Sequence, residues 1–236
     1  IGLPAAHTVT RGAGVIVAVL DTGTDRSHPA LAGRVLPGYD FVDMDDDPSE
    51  VGDHDADITY GHGTHVAGLV TLAAPDAQIL PVRVLDRDGA GNLWVLAEAL
   101  AYAVNPDGDI DTPDGATVIN LSLSTRRQTN LLAEIVRDVI CEDDDDDDGR
   151  HATQDDDDDD CLATPGRGAV VIAAAGNRAA DTPEYPAAET QPGLLAVTAN
   201  TETDLLADFA NFGAWVQVAA PGDRILSSVP GGAYGA

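Results

Sequence analysis

Cationic side chains are scarce in this chain of 236 residues, with 12 lysines and arginines against 41 aspartates and glutamates and a net charge of −29. So acidic a surface repels phosphate backbones, which excludes nucleic acid as a partner. Long apolar runs are missing too. None approaches the roughly 18 residues that span a bilayer, so no transmembrane helix and no membrane partner are expected. Cysteine is almost absent, with only Cys141 and Cys161. The N-terminus lacks the basic, apolar and small-residue series of a signal peptide and reads as a mature start.

The excess of acid has a local and a general part. Two runs of six aspartates, 143–148 and 155–160, supply 12 negative charges, yet −17 would remain without them. The general part reads as a solubility adaptation, of the kind that suits high salt. Like charges packed so densely repel, so the runs are expected to form a solvated loop, with weak cation binding as the alternative. Cys141 and Cys161 bracket 19 residues that hold both runs. The arrangement looks like a disulfide at the base of an inserted loop, 141–161, in an oxidising, secreted setting. Two free thiols remain the other reading.

Apolar residues make up 44% of the chain, enough for a packed domain. Strands are predicted at 14–20, 77–85, 117–123, 169–174, 194–198 and 215–219. Helices are predicted at 62–72, 92–104 and 130–140. Alternation of this kind implies an α/β fold with a mostly parallel central sheet and helices on both faces. Function then gathers at the carboxyl ends of strands. Asp21, Ser122 and Asn177 fall at or just past such ends.

Five short motifs follow one another along the chain. They are Ala18-Val19-Leu20-Asp21-Thr22-Gly23, then Gly61-His62-Gly63-Thr64-His65-Val66-Ala67-Gly68, then Val118-Ile119-Asn120-Leu121-Ser122-Leu123. Val171-Ile172-Ala173-Ala174-Ala175-Gly176-Asn177 and Ala220-Pro221-Gly222 complete the series. Singly, Asp21 reads as a turn carboxylate and Asn177 as a loop amide. His62 and His65, with His54, Asp53 and Asp55 near, could also read as a metal pair, but no further ligand spacing supports it. In this order the motifs resemble the subtilisin-like serine proteases, the subtilases, from about Gly14 to Ala236.

That resemblance implies a three-layer αβα domain over 1–236 and a serine endopeptidase acting on proteins or peptides. It assigns three catalytic roles. Asp21 orients an imidazole, His62 is general base and then acid, and Asn177 donates to the oxyanion. His65 would be structural. Ser122, Leu123 and Ser124 would pair with the substrate backbone as an added strand. Ala174, Ala175 and Gly176 would line the primary pocket. The family usually has Gly where Ser124 stands. Tyr185-Pro186 matches a position where the peptide bond is cis. The stretch 40–49 is similar to a calcium loop of thermitase-like subtilases, which makes Asp40, Asp43, Asp45 and Asp47 the expected ligands of a structural Ca²⁺.

The nucleophile is expected from a Gly-Thr-Ser motif after the loop at 230–236. A chain ending at Ala236 is therefore predicted inactive by itself, with an apolar face left for a complementing C-terminal segment or chain. The competing class is a pseudoprotease or calcium-dependent peptide-binding module that uses the same groove.

Overall fold

The computed structural model describes residues 2–109, 112–140 and 168–236. The expected Cys141–Cys161 disulfide and the acidic insert at 141–161 lie outside the described residues. In chain order the elements are α1 (Leu3–Ala6), β1 (Ile16–Asp21), β2 (Tyr39–Asp40), α2 (His62–Ala73), β3 (Gln78–Arg83), α3 (Leu93–Val104) and β4 (Val118–Leu121). Then come α4 (Asn130–Ile140), β5 (Val170–Ala174), β6 (Leu194–Asn200), β7 (Val218–Pro221), β8 (Ser227–Val229) and β9 (Ala233–Gly235).

The first apolar run becomes β1, buried along its whole length from Val17 to Asp21. A strand covered on both faces has to be apolar on both, and this one lies inside the sheet. Seven parallel strands run in the order β2-β3-β1-β4-β5-β6-β7. From β1 the chain first fills one side, with β2 and β3, and then turns to the other, with β4 to β7. The carboxyl ends of β1 and β4 are therefore neighbours whose following segments diverge. A crevice at that switch is where open α/β sheets hold ligands.

Side-chain alternation along β1 divides the core in two. Val17 and Val19 pack with Leu31, Ala67 and Ile79, on the side of α2. Ala18 and Leu20 join Val82, Leu100, Ile119 and Leu132, on the side of α3 and α4. The expected three layers are present. Leu20, Leu100 and Leu132 are each 0% exposed, and burying a leucine contributes about 1.5–3 kcal/mol. Asn92 starts α3 by accepting the Trp94 N–H at 2.8 Å on its Oδ1, a cap of about 1 kcal/mol.

Three differences from the sequence expectations have local causes. The strand expected at 215–219 forms instead at Val218–Pro221, where it pairs with Val197 to Asn200 of β6. Trp215 packs against the core just before it. The tail expected as a loop at 230–236 closes an antiparallel hairpin, Ser227–Val229 with Ala233–Gly235. Its turn holds Gly231 and Gly232 at φ 83° and 78°, a conformation glycine adopts without steric cost. The short α1 and β2 were not expected at all. The peptide bond Tyr185-Pro186 is cis, as predicted.

Candidate active site

Asp21 ends β1 with no exposed surface. Its Oδ1 accepts the Thr22 N–H at 2.7 Å and meets His62 Nδ1 at 2.7 Å. A carboxylate can only accept, so Nδ1 carries the proton and Nε2 presents its lone pair outward. The hydrogen bond from Asp21 raises the His62 pKa above the usual imidazole value, against the opposing effect of burial. His62 keeps 46% of its side chain exposed while Asp21 keeps 1%. The imidazole is open to solvent and the carboxylate is not.

The backbone explains how the pair meets. His62 is the first residue of α2, and Gly63 follows it. A Cβ at Gly63 would lie 2.1 Å from Gly23 O and 3.0 Å from Asp21 Cβ. Only glycine lets the helix start approach the loop after β1 so closely. His65, three residues on, contacts Ile225 O through Nε2 at 2.9 Å, the structural role expected of it. His54 is exposed and sits 3.3 Å from Asp55. The metal-pair reading of these histidines finds no support, since among the described residues no such group gathers.

His62 lines a cleft of about 480 Å³ together with Ser122, Leu123, Ser124, Leu93 and Leu96. The cleft lies at the β1/β4 switch, so this part of the expected substrate edge and the expected base share one cavity. Among the described residues no serine hydroxyl bonds to His62 Nε2. Ser122 Oγ donates to Asn120 Oδ1 at 2.9 Å instead.

Asn177 is exposed in the loop after β5. Of the expected pocket residues there, Ala174 and Gly176 are half-buried, whereas Ala175 is wholly buried and its N–H bonds Val197 O at 2.8 Å. The Asn177 loop is shaped by a residue the sequence reading missed. Asn211, fully buried, accepts the N–H groups of Arg178 and Ala180 at 2.9 and 3.2 Å. It donates to Ala175 O and to Glu184 Oε1, both at 2.9 Å. Glu184, also missed, is 2% exposed. It accepts from Ser124 Oγ and lies 3.4 Å from Arg178 Nη1. The hydroxyl at position 124 thus has a built-in acceptor.

Asp40, Asp43, Asp45 and Asp47 do not converge on a shared centre. Asp40 is 1% exposed, and its Oδ2 accepts from Arg83 Nη1 at 2.5 Å. Its Oδ1 takes the N–H groups of Val42 and Asp43 at 2.7 and 3.0 Å. Asp43 Oδ2 accepts from the same Arg83 nitrogen at 2.6 Å. Asp45 Oδ1 takes the Asp47 N–H at 2.9 Å, and Asp47 Oδ1 the Ser49 hydroxyl at 2.5 Å. Calcium needs six to eight oxygens. Both Asp40 oxygens are already engaged, so the set as arranged does not fit the ion. A guanidinium from β3 bridges Asp40 and Asp43 instead.

A parallel sheet with a buried carboxylate on an imidazole at its switch point defines an α/β domain carrying an acid–base couple at strand ends. The chain belongs to the subtilase family, peptidase S8, whose profile matches residues 12–235. It is 37% identical over 240 residues to a thermophilic serine proteinase of Bacillus sp. (strain AK1), covering 97% of this chain and 49% of that protein. It is 33% identical over 241 residues to thermitase of Thermoactinomyces vulgaris, covering 98% of this chain and 71% of that protein. The chain thus spans about half the length of the first of these relatives. A crystal structure of a cold adapted subtilisin-like serine proteinase superposes with a TM-score of 0.71 at 29% identity, covering 95% of this chain and 69% of that one.

Proposed function

We propose that this chain forms the bulk of a serine endopeptidase domain that cleaves peptide bonds in proteins. The observation that carries the reading is the 2.7 Å bond to a fully buried Asp21 from Nδ1 of His62, which lines the cleft. A serine hydroxyl attacks a carbonyl efficiently only when a base takes its proton. His62 Nε2 is that base and later returns the proton to the leaving amine. Asp21 holds the tautomer and stabilises the imidazolium. Asn177 donates to the oxyanion, and loss of such a donor costs about 10²–10³ in kcat in subtilisin. The substrate backbone lies along 122–124, which line the cleft beside His62.

Ser122, Ser227 and Ser228, whose hydroxyls bond elsewhere, are not the nucleophile of this reading. Edge strand β7 supports a covering segment, since Val218, Ala219 and Pro221 are exposed. Phe209, Phe212 and Leu226 add exposed apolar surface. The test is labelling of the native protein with a peptidyl fluorophosphonate, followed by mapping of the modified residue. Modification of a serine in a Gly-Thr-Ser motif is expected. A native protein that resists the probe sinks the proposal.

A further inference from the structure

Four donors converge on one carboxylate that neither the acid–base couple nor the cleft uses. Glu50 is half-buried behind the start of α2. Its Oε1 accepts from the N–H and the hydroxyl of Thr64, both at 2.9 Å. Its Oε2 accepts from the Gly61 N–H at 3.1 Å and from Thr22 Oγ1 at 3.0 Å. A helix start leaves N–H groups without partners inside the helix. Gly61 stands at the N-cap with no side chain to cover them, and the first turn of α2 has no acidic residue. All are met from outside. The His62 N–H bonds Thr59 O at 3.0 Å, the Gly63 N–H bonds Thr22 Oγ1 at 3.0 Å, and Glu50 takes the Thr64 N–H. A carboxylate at the positive end of a helix is favourable beyond these bonds.

Thr22 makes the arrangement more than a cap. Its N–H holds Asp21 Oδ1, and its hydroxyl donates to Glu50 while accepting from Gly63. One chain of hydrogen bonds therefore runs from Asp21 through Thr22 and Glu50 to Gly61 and Thr64, which flank His62. Resting on the reading of His62 as general base, we infer that Glu50 is a positioning residue. It locks the start of α2 to the loop after β1, fixes how His62 meets Asp21, and keeps a negative charge behind the imidazolium. The charged groups acting on His62 are Asp21 from β1 and Glu50 from the 48–50 segment. Burial pushes the Glu50 carboxyl upward, and its four donors act against that. A buried charge held by this many donors is costly to leave unpaired.

The experiment compares the intact native protease with Glu50→Gln, which keeps the size and loses the charge and a backbone acceptor. On a peptide anilide, kcat is expected to fall about tenfold with KM changed less than about twofold, since geometry rather than substrate binding is disturbed. The acid limb of the pH–rate profile should move down by about half a unit, because one negative charge near the imidazole is lost. NMR titration of the His62 ring should show the same downward shift, and it reads out whether or not peptide is cleaved. Glu50→Asp, one methylene short but charged, should restore most of the acid limb and little of kcat. An acid limb and ring titration that stay in place overturn the inference, even if the unfolding midpoint drops, since a purely structural clamp moves only the midpoint. A native protein that cleaves nothing, with a ring titration that shifts on Glu50→Gln, would sink the protease reading and leave the clamp standing.

Discussion

One oxygen of Asp21 receives both the Thr22 N–H and the His62 ring, and the pH behaviour of the site follows from it. His62 is raised above its usual range by that bond first, against burial. In the proposed role of base His62 works only when neutral, so the acid limb of kcat/KM should lie above the usual imidazole value of about 6.5. The stability that the pair contributes has the matching sign. It is fully present below the unfolded imidazole value and is lost as pH rises through the folded one. Asp21→Asn should lower kcat about 10⁴-fold, the size of the corresponding change in serine proteases, and bring the His62 titration down. A ring titration left in place by Asp21→Asn would contradict the assignment. Asp21 and His62 were legible in the sequence because each sits in a motif whose neighbours are constrained by close approach, as Gly63 is. Glu50, Glu184 and Asn211 were not. Each acts on a site residue through the fold, and Glu50 stands among acidic residues that look alike in one dimension.

Among the elements, the longer strands and helices were readable because apolar runs and periodic faces mark them. Helix α4 falls at Asn130–Ile140, where the periodicity puts it. The hairpin of β8 and β9 was not readable, because its strands are three residues each, with β8 buried against α2 and β9 largely exposed. Ser227 Oγ donates to His65 O at 2.8 Å and Ser228 Oγ to Thr64 O at 2.9 Å. Gly68 makes room, since a Cβ there would lie 2.1 Å from Ser228 Oγ and 2.4 Å from Ser227 Oγ. Gly68→Ala should therefore push the hairpin off the helix and destabilise the domain by about 1–3 kcal/mol, the usual range for overpacking. Adding Ser228→Ala should recover part of the loss in a urea-unfolding double-mutant cycle. Strict additivity of the two changes would show that the contact is not made.

At the scale of the molecule, a net charge of −29 sets up self-repulsion that salt relieves. Screening tightens from about 10 Å at 0.1 M to about 3 Å at 1 M. The calorimetric midpoint should climb across that range. A chelator should leave it unchanged, because Arg83 rather than a cation bridges Asp40 and Asp43. A midpoint that falls on chelation would return calcium to the 40–47 loop.

The hairpin also joins distant parts of the chain. His65 bonds Ile225 across 160 positions, His28 bonds Ala233 across 205, and Gly231 bonds Asp25 across 206. Closing loops of that length is entropically slow and comes late in folding. The helix that starts with His62 therefore gains its last supports only when nearly the whole domain has been assembled. A chain still being made lacks residues 225–233, so the helix that carries His62 is expected to be secured only near the end of synthesis.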